Sequence, residues 1–238
     1  MKAIAKMQVG MTDEVMQDPD VVFRFPDALT KIPTPCMRLQ DAKIGYPGCE
    51  PVLRKVDFDV DLDTRVALIG PNGAGKSTIV KALLGDIEIS DGSRVFHNRL
   101  KVGIFTQHHA DSYDLKKSAM DLMTEKWPDH KPVEAFRAHL GSFGLTGNLQ
   151  LRPMYLMSGG QKSRVSFAMI TWERPHILML DEPTNHLDYD AINALIMGLN
   201  EYKGGLVVVS HDEYFLNALC DRLFLVDNGE CLPFKGDL

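Results

Sequence analysis

A run of nine residues places three glycines, a lysine and two hydroxyl side chains in an order suited to phosphate binding. It consists of Gly70, Pro71, Asn72, Gly73, Ala74, Gly75, Lys76, Ser77 and Thr78. Glycines allow backbone conformations closed to other residues, so that backbone N–H groups can approach an anion closely. In such a loop the lysine reaches the β- and γ-phosphates of a nucleotide, and the following hydroxyl lies on Mg²⁺. The run predicts a nucleotide site, a chance match in an ordinary turn being the alternative.

The segments on either side of the run supply the elements that such a loop needs. Residues 65–69 read as a short apolar strand, and residues 79–84 have the apolar spacing of a helix. A strand, a glycine-rich turn and a helix in succession bring the unpaired N–H groups of the helix N-terminus to the phosphates. This context favours phosphate binding over a chance match.

Two adjacent carboxylates end a second apolar segment. Residues 177–180 are apolar and are followed by Asp181 and Glu182. A buried parallel strand of this kind places its last residues at the carboxyl edge of the sheet, where α/β proteins bind ligands. Asp181 is therefore a candidate to hold Mg²⁺ through its water shell, and Glu182 a candidate base for the attacking water. Solvated acids that merely end a strand are the alternative.

A third segment, Ser158-Gly159-Gly160-Gln161, begins another helical pattern with Ser158 at the N-cap position. Two glycines just inside a helix cost roughly 1 kcal/mol each relative to alanine, so this backbone is expected to lie close to another group. A helix N-terminus with a hydroxyl and bare N–H groups is suited to phosphate. Considered alone, the segment also fits a flexible Ser-Gly-Gly loop.

Composition limits the classes of protein to which the chain can belong. Its 238 residues, 45% hydrophobic and 24% charged, are enough for a large globular core. No apolar run approaches the ~20 residues that cross a bilayer, and residues 1–7 lack the apolar stretch of a secretory signal. Cys36, Cys49, Cys220 and Cys231 form no CxxC pair, which favours free thiols in a reducing cytosol over zinc or disulfides. The net charge of −6 argues against a broad nucleic-acid-binding surface.

The order of predicted elements indicates an α/β fold with two additions. Residues 1–35, rich in proline and scattered acids, are predicted to form an extended connector on the domain surface rather than a core element. Strands are expected from residue 37, with a turn at Asp91-Gly92, and short helices over 111–157. Strands and helices then alternate up to a closing hairpin at Asn228-Gly229. The pattern predicts an α/β core with an antiparallel edge and a helical insert.

These motifs in this order resemble the ATP-binding cassette, or ABC, domain. The phosphate loop is followed by Gln107, by Met157–Gln161, by Leu178–Glu182 and by His211. The resemblance extends from about residue 36 to the end of the chain. It implies a P-loop NTPase fold with a RecA-like, mostly parallel core, an antiparallel β subdomain and a helical subdomain at about 111–172. It also implies ATP and Mg²⁺ as ligands and ATP hydrolysis as the activity.

Finer features resemble the F class of this family, whose members carry two cassettes in one chain, lack membrane segments and act mostly on ribosomes. The segment Glu182–Asp188 is similar to the hallmark of that class. Gly159–Val165 and Ser210–Glu213 are similar to its eukaryotic branch, near the members linked to the amino-acid starvation response. Residues 1–35 then correspond to the end of the linker between two cassettes, and residues 36–238 to the second cassette of a longer protein. The implied partners are a second cassette and, through the full-length protein, the ribosome and transfer RNA, in the cytoplasm and with no membrane contact.

Carried onto this sequence, the resemblance assigns roles to individual residues. Tyr46 would stack on adenine, although simple packing on the sheet is an alternative. Three residues would hold Mg²⁺: Ser77 and Gln107 by direct contact, and Asp181 from behind them, through the water shell of the ion. Glu182 would act as the catalytic base, and His211 would hydrogen-bond the γ-phosphate. The segment Ser158, Gly159, Gly160 and Gln161 would serve the ATP bound to the partner cassette, and Asn185–Asp188 would communicate between the two sites.

Two other functions fit parts of the pattern. One is the nucleotide-binding subunit of a membrane transporter, but such subunits usually carry Ser-Ala where this chain has Asn185-His186. The other is a regulatory module that binds ATP and scarcely hydrolyses it. One departure from the family pattern is Met157, where leucine is usual, a volume-conserving change that is expected to be tolerated.

Overall fold

The computed structural model describes residues 21–46, 48–106, 112–129 and 132–234. Within these ranges the strands are β1 (Met37–Ile44), β2 (Leu53–Val60), β3 (Arg65–Ile69), β4 (Ile89–Phe96), β5 (Val102–Phe105), β6 (Ile177–Asp181), β7 (Gly205–Val209), β8 (Arg222–Asp227) and β9 (Glu230–Phe234). The helices are α1 (Lys76–Leu84), α2 (Ala119–Lys126), α3 (Glu134–Gly141), α4 (Gly159–Thr171), α5 (Tyr189–Glu201) and α6 (Glu213–Leu219). Two short 3₁₀ turns, Gly147–Leu151 and Met154–Leu156, precede α4.

The strands form one sheet in the order β4-β1-β2-β9-β8-β3-β7-β6-β5. The five strands from β8 to β5 run parallel to one another. Strand β1 pairs antiparallel with both β2 and β4, and β9 joins the two parts by pairing with β2 and β8. Helices α2 and α3 fall between β5 and α4 along the chain. The predicted fold class, a mostly parallel core with an antiparallel β part and a helical insert, is confirmed.

Both faces of the central strands are buried, which explains their nearly continuous apolar sequences. On β7, Leu206 and Val208 belong to the same apolar cluster as residues of α4, α5 and α6. Val207 and Val209 belong to the opposite cluster, which contains Ile79 of α1. The sheet therefore lies between α1 on one side and α4–α6 on the other. None of the helices in the described ranges combines the length and the apolarity of a transmembrane span.

The connector was predicted to lie on the surface and to contribute nothing to the core; the second part of this prediction is wrong, because Phe23 and Ile32 are buried while most of residues 21–35 remain exposed or half-buried. Phe23 is 3% exposed. Its ring packs edge-on against Phe143 and Phe167, with centroids 6.3 and 5.6 Å away. Its carbonyl oxygen would be 2.2 Å from a Cβ at position 198, so Gly198 of α5 is needed for this close approach. Prolines marked the segment as extended, but extended backbone can still carry aromatic side chains into a core.

A second contact anchors the connector near the strand edge. His176 is 2% exposed. Its Nδ1 accepts a hydrogen bond from the Lys101 N–H (3.1 Å), and its Nε2 lies 3.0 Å from the carbonyl oxygen of Thr30. Burial lowers the pKa of His176, which favours the neutral imidazole that can accept at one nitrogen and donate at the other. Thr30 is thereby tied to the core.

The expected turn at Asp91-Gly92 is also wrong, because β4 runs through both residues. Gly92 has φ +85°, and a Cβ there would lie 2.5 Å from the carbonyl oxygen of Asp41. The pairing of β4 with β1 shifts register between Gln40 and Lys43. The glycine therefore marks an irregularity inside a strand pair, where a side chain would strike the neighbouring backbone.

Candidate nucleotide-binding site

The phosphate loop connects the end of β3 to the start of α1. Gly70 has φ +143°, and a Cβ there would lie 2.1 Å from the carbonyl oxygen of Val226 on β8. Gly75 has φ +111° and occupies the N-cap position of α1. Only glycine combines these dihedrals with so close an approach to another strand. The loop is therefore held against the sheet with the N-terminus of α1 behind it, as an anion cradle requires.

Lys76 lies over the same loop. The residue is 8% exposed. Its Nζ donates to the carbonyl oxygens of Gly70 (2.7 Å) and Pro71 (3.0 Å). An ammonium group has three donors, so these two bonds leave one for a ligand. The cation is thus positioned beside the loop backbone, where a phosphate would bind.

Ser77 and Asp181 come together from different elements. Asp181 is the last residue of β6, and its Oδ2 accepts a hydrogen bond from the Ser77 hydroxyl at 3.3 Å. Burial raises the pKa of Asp181, while Ser77 and Lys76 act in the opposite direction. Hydroxyl and carboxylate oxygens are ligands that Mg²⁺ prefers, so this pair fits the ion. In the part of the chain that the structure describes, no three His, Cys, Asp or Glu side chains are grouped to hold a metal.

Glu182 lies one residue beyond Asp181 and turns away from the strand. Its backbone has φ +50°, and its N–H donates to the carbonyl of Val209 (2.8 Å). Burial raises the pKa of its carboxyl group, and His211 partly offsets this increase. His211 Nε2 lies 3.6 Å from Glu182 Oε1 and 3.2 Å from the Asn72 side-chain oxygen. The imidazole therefore lies between the candidate base and the phosphate loop.

Sequence reasoning named Ser210 and Asn72 only as members of longer motifs and missed the contacts that each makes here. Ser210 is 2% exposed, and its hydroxyl lies 3.5 Å from Glu182 Oε2 and accepts from the Asp212 N–H. Ser210 comes directly after β7, and Asp181 is the last residue of the neighbouring β6. Its position at a strand end was therefore the sequence signal that could have indicated a role in the site. Asn72 and His211 are 139 positions apart in the sequence, so no local pattern could predict their contact. Gln107, predicted to contact Mg²⁺, lies outside the described residues.

The predicted cap of α4 is present. Ser158 Oγ accepts from the Gln161 N–H and Gln161 Oε1 accepts from the Ser158 N–H, both at 3.2 Å. A Cβ at Gly159 would lie 2.9 Å from His186 Cβ, and one at Gly160 would lie 3.6 Å from the His186 carbonyl oxygen. The group that requires glycine at position 159 is therefore a segment of the same chain, the one that follows Glu182, whereas the separation at Gly160 is an ordinary van der Waals contact.

Tyr46 lies in the loop after β1 and is 45% exposed. Its carbonyl accepts from the Cys49 N–H at 3.0 Å, which closes a turn. A tyrosine this exposed contributes little to the core, so its ring face is accessible to a ligand.

If Tyr46 stacks on adenine, Tyr46→Ala should weaken ATP binding by about 1–3 kcal/mol, as aromatic–base stacking does elsewhere. Tyr46→Phe keeps the ring and should bind ATP like the parent protein. Isothermal titration calorimetry measures both. Because the ring is half-exposed, neither change should alter the free energy of unfolding by more than about 0.5 kcal/mol. An unchanged affinity for Tyr46→Ala would return the residue to a packing role.

Comparison with known proteins now identifies the family. A family profile described as "ABC transporter" matches residues 53–185, more than half of the chain. The chain belongs to the ABC family. This ABC cassette is 47% identical over 229 residues to ABC transporter F family member 3 of Arabidopsis thaliana, covering 96% of this chain and 32% of that protein. It is 43% identical over 222 residues to Protein GCN20 of Saccharomyces cerevisiae, covering 93% and 29%. The predicted resemblance to the F class is confirmed, and the chain spans about a third of the length of these relatives.

Solved structures agree on the fold. The ATP-binding subunit of an ABC transporter matches this ABC cassette with a TM-score of 0.68 and 26% identity, covering 85% of this chain and 90% of that one. A bacterial ABC transporter cassette solved as a dimer matches with a TM-score of 0.67 and 20% identity, covering 84% and 99%. The phosphate loop, the strand-end acids and the capped α4 thus belong to an ABC ATPase fold.

Proposed function

We propose that this chain is the second, ATP-hydrolysing cassette of a longer F-class ABC protein that acts on ribosomes in the cytoplasm. The observation that carries the ATPase part is the meeting of Lys76, the Ser77–Asp181 pair and the Glu182–His211 pair at the carboxyl edge of one sheet. Resemblance to the F class and coverage of about a third of the relatives support the position within a longer protein. The ribosomal role follows from that class resemblance.

Each residue of the site would have a separate role in the transfer of the terminal phosphoryl group to water. Lys76 and the loop N–H groups would hold the phosphates, and Ser77 and Asp181 would hold Mg²⁺. When bound, Mg²⁺ supplies positive charge that neutralises charge developing on the phosphate oxygens. Glu182 would accept a proton from the attacking water at its carboxylate. His211, fixed between Asn72 and Glu182, would donate to the transferred phosphoryl group.

Burial of Glu182 makes it a stronger base than an exposed glutamate. A carboxylate with a raised pKa has more affinity for the proton that it must remove from the attacking water. The positive φ of the residue sets its side chain apart from Asp181. The two neighbouring acids are thus directed to different tasks, metal binding and proton transfer.

This assignment predicts the pH dependence of turnover. Activity needs ionised Glu182, and burial raises its pKa above the ordinary 4.5. Activity should therefore be lost as the pH falls, with an apparent pKa above 4.5. His211→Ala removes a group that lowers this pKa, so the residual activity should show its acidic limb at higher pH. The measurement is the pH profile of kcat/KM at saturating Mg²⁺, which limits the contribution of Asp181 to that profile. If the apparent pKa of activity loss at acidic pH were lower in His211→Ala than in the parent protein, the assignment would be contradicted.

A second cassette is needed because the segment Ser158–Gln161 serves another molecule's nucleotide. The nearest atoms to a Cβ at Gly159 or Gly160 belong to His186 and Leu187, and none belongs to the phosphate loop. One chain then offers half of each of two sites, and two cassettes complete both. His186 also links Glu182 of one site to the helix that serves the other, which supports a communicating role for Asn185–Asp188.

Complementation tests the shared site. A Ser158→Arg variant keeps its phosphate loop, and a Lys76→Ala variant keeps its capped α4. Each variant alone should be inactive, and a mixture should recover turnover at one composite site per pair. ATP turnover should likewise rise when a first cassette is added to the parent chain. A mixture as inactive as its parts, beside an active parent chain, would contradict the shared site. A parent chain with little turnover that the added first cassette does not raise would instead favour an ATP-binding module.

A further inference from the structure

A second groove lies at the opposite end of the sheet from the nucleotide site. It consists of two adjoining cavities of about 840 and 400 Å³, which share Lys101, Trp127 and Glu173. Lys101 precedes β5, and Pro175, which also lines the groove, precedes β6, so these are the amino ends of the strands. We call these two cavities together the distal groove. None of Lys76, Ser77, Asp181, Glu182 and His211 lines it.

One wall of the distal groove is the free edge of the sheet. β5 is the last strand in the sheet order and pairs with β6 alone among the described strands. Four consecutive residues, from Lys101 to Ile104, line the smaller cavity. Because successive side chains of a strand point to opposite faces, four consecutive lining residues mean that the backbone itself borders the cavity. Backbone donors and acceptors at such an edge can pair with an added strand.

The rim of the distal groove is basic, in contrast to the chain's net charge of −6. Its lining includes four cationic side chains: Arg24, Lys101, Lys126 and Arg174. Glu173 is the one carboxylate among the lining residues that the structure describes. That carboxylate is already engaged by Lys101 Nζ at 3.7 Å and by Trp127 Nε1 at 3.1 Å. The remaining positive charge favours an acidic ligand.

The larger cavity adds apolar anchors. Both tryptophans of the chain, Trp127 and Trp172, line it, with ring centroids 6.0 Å apart. Leu29 of the connector is 80% exposed and borders the same cavity. Aromatic side chains that remain partly accessible in a concave surface are typical binding anchors.

We propose that the distal groove binds an extended acidic peptide segment of a partner protein, which adds as a strand to the free edge of β5. Its carboxylates would meet Lys101, Lys126 and Arg174, and one of its apolar side chains would lie against Trp127. Main-chain pairing would supply affinity, and the basic rim would select acidic sequences. Single-stranded nucleic acid could use the same cations and rings but would leave the strand edge unused, so the strand edge favours a peptide.

Because both tryptophans line the distal groove, their fluorescence can report binding there. We would titrate the full chain with a short acetylated peptide of alternating glutamate and valine, which has no fluorescence of its own, and follow tryptophan emission. Three probes of matched length serve as comparisons: the same peptide with lysine for glutamate, the acidic peptide with N-methylated backbone amides, and an oligouridine RNA. The expected result is a saturable change with the acidic peptide and none with the other three.

Variants then locate the binding. Arg174 has φ +53°, so Arg174→Gly removes the cation without straining the backbone. Arg174→Gly should weaken peptide binding about two- to fivefold, and Lys101→Glu should weaken it roughly tenfold. Lys116→Glu, an exposed lysine outside the groove, should have no effect. ATP binding should be unchanged in all three variants, so this test stands apart from the ATPase proposal. Binding of the RNA in place of the peptide, equal binding of the N-methylated peptide, or no binding at all would overturn the proposal; in the last case Lys101 protects the free edge from unwanted pairing.

Discussion

Glu182→Gln should still bind ATP but hydrolyse it roughly 10²–10⁴ times more slowly than the parent protein. Glutamine keeps the shape and hydrogen bonding of the side chain but cannot accept a proton from water. Because burial raises the pKa of Glu182, a neutral amide is well accommodated there, so loss of turnover would not reflect unfolding. The variant also removes repulsion between a carboxylate and the triphosphate, so the ATP-bound state should last longer.

Single-turnover hydrolysis and calorimetric ATP binding, with a partner cassette supplied, measure the two halves of this expectation. Asp181→Asn makes the same acid-to-amide change at the neighbouring residue and serves as the comparison for Glu182→Gln. It breaks the contact with Ser77 and should weaken Mg²⁺-dependent binding as well as turnover. In the full-length protein, Glu182→Gln should also increase the fraction that sediments with ribosomes in the presence of ATP. Hydrolysis at the parent rate would show that another group is the base, whereas unchanged sedimentation would count only against the ribosomal role.

Lys76→Ala should lower ATP affinity by about 2–5 kcal/mol, because truncating one partner of a buried, hydrogen-bonded charge pair has an effect of this size. The substitution removes the ammonium beside the loop. It also removes the donor that Gly70 and Pro71 now share, so their carbonyls lose the contact that holds the loop closed. Both effects act in the same direction on phosphate binding.

Lys81→Ala provides the control for Lys76→Ala, since Lys81 is on the same helix and exposed. Its affinity for ATP should be close to that of the parent protein. Thermal unfolding without nucleotide should show that both variants fold. If calorimetry gave the same ATP affinity for Lys76→Ala and Lys81→Ala, the assignment of the phosphate loop would be wrong.

Local sequence was sufficient to predict those features whose geometry depends on a single element. The cap at Ser158, the helix after Gly75 and the hairpin at Asn228-Gly229 depend on neighbouring residues, and all three are present. Strand-end acids could also be placed, because parallel strands bring their carboxyl ends to a common edge.

Contacts between distant segments could not be read in the same way. The link from Asn72 to His211 and the packing of His186 on Gly159 depend on how loops from separate strands meet. The glycines at 159 and 160 indicated that some group lies close, but their cost in a helix does not say which group. The connector was misjudged for a related reason. Its prolines describe the backbone, whereas burial of Phe23 depends on Phe143, α4 and α5.

The buried side chain of Phe23 in the connector has a practical consequence for dividing this protein into pieces. A fragment that starts at Met37 contains every nucleotide-binding motif, yet it leaves out the benzyl group that fills the space between Phe143 and Phe167. It would also uncover the surface that Thr30 now covers at His176. Such a truncation would expose an apolar cleft on an otherwise intact cassette, and aggregation in solution could then be mistaken for an intrinsic tendency of the cassette to self-associate.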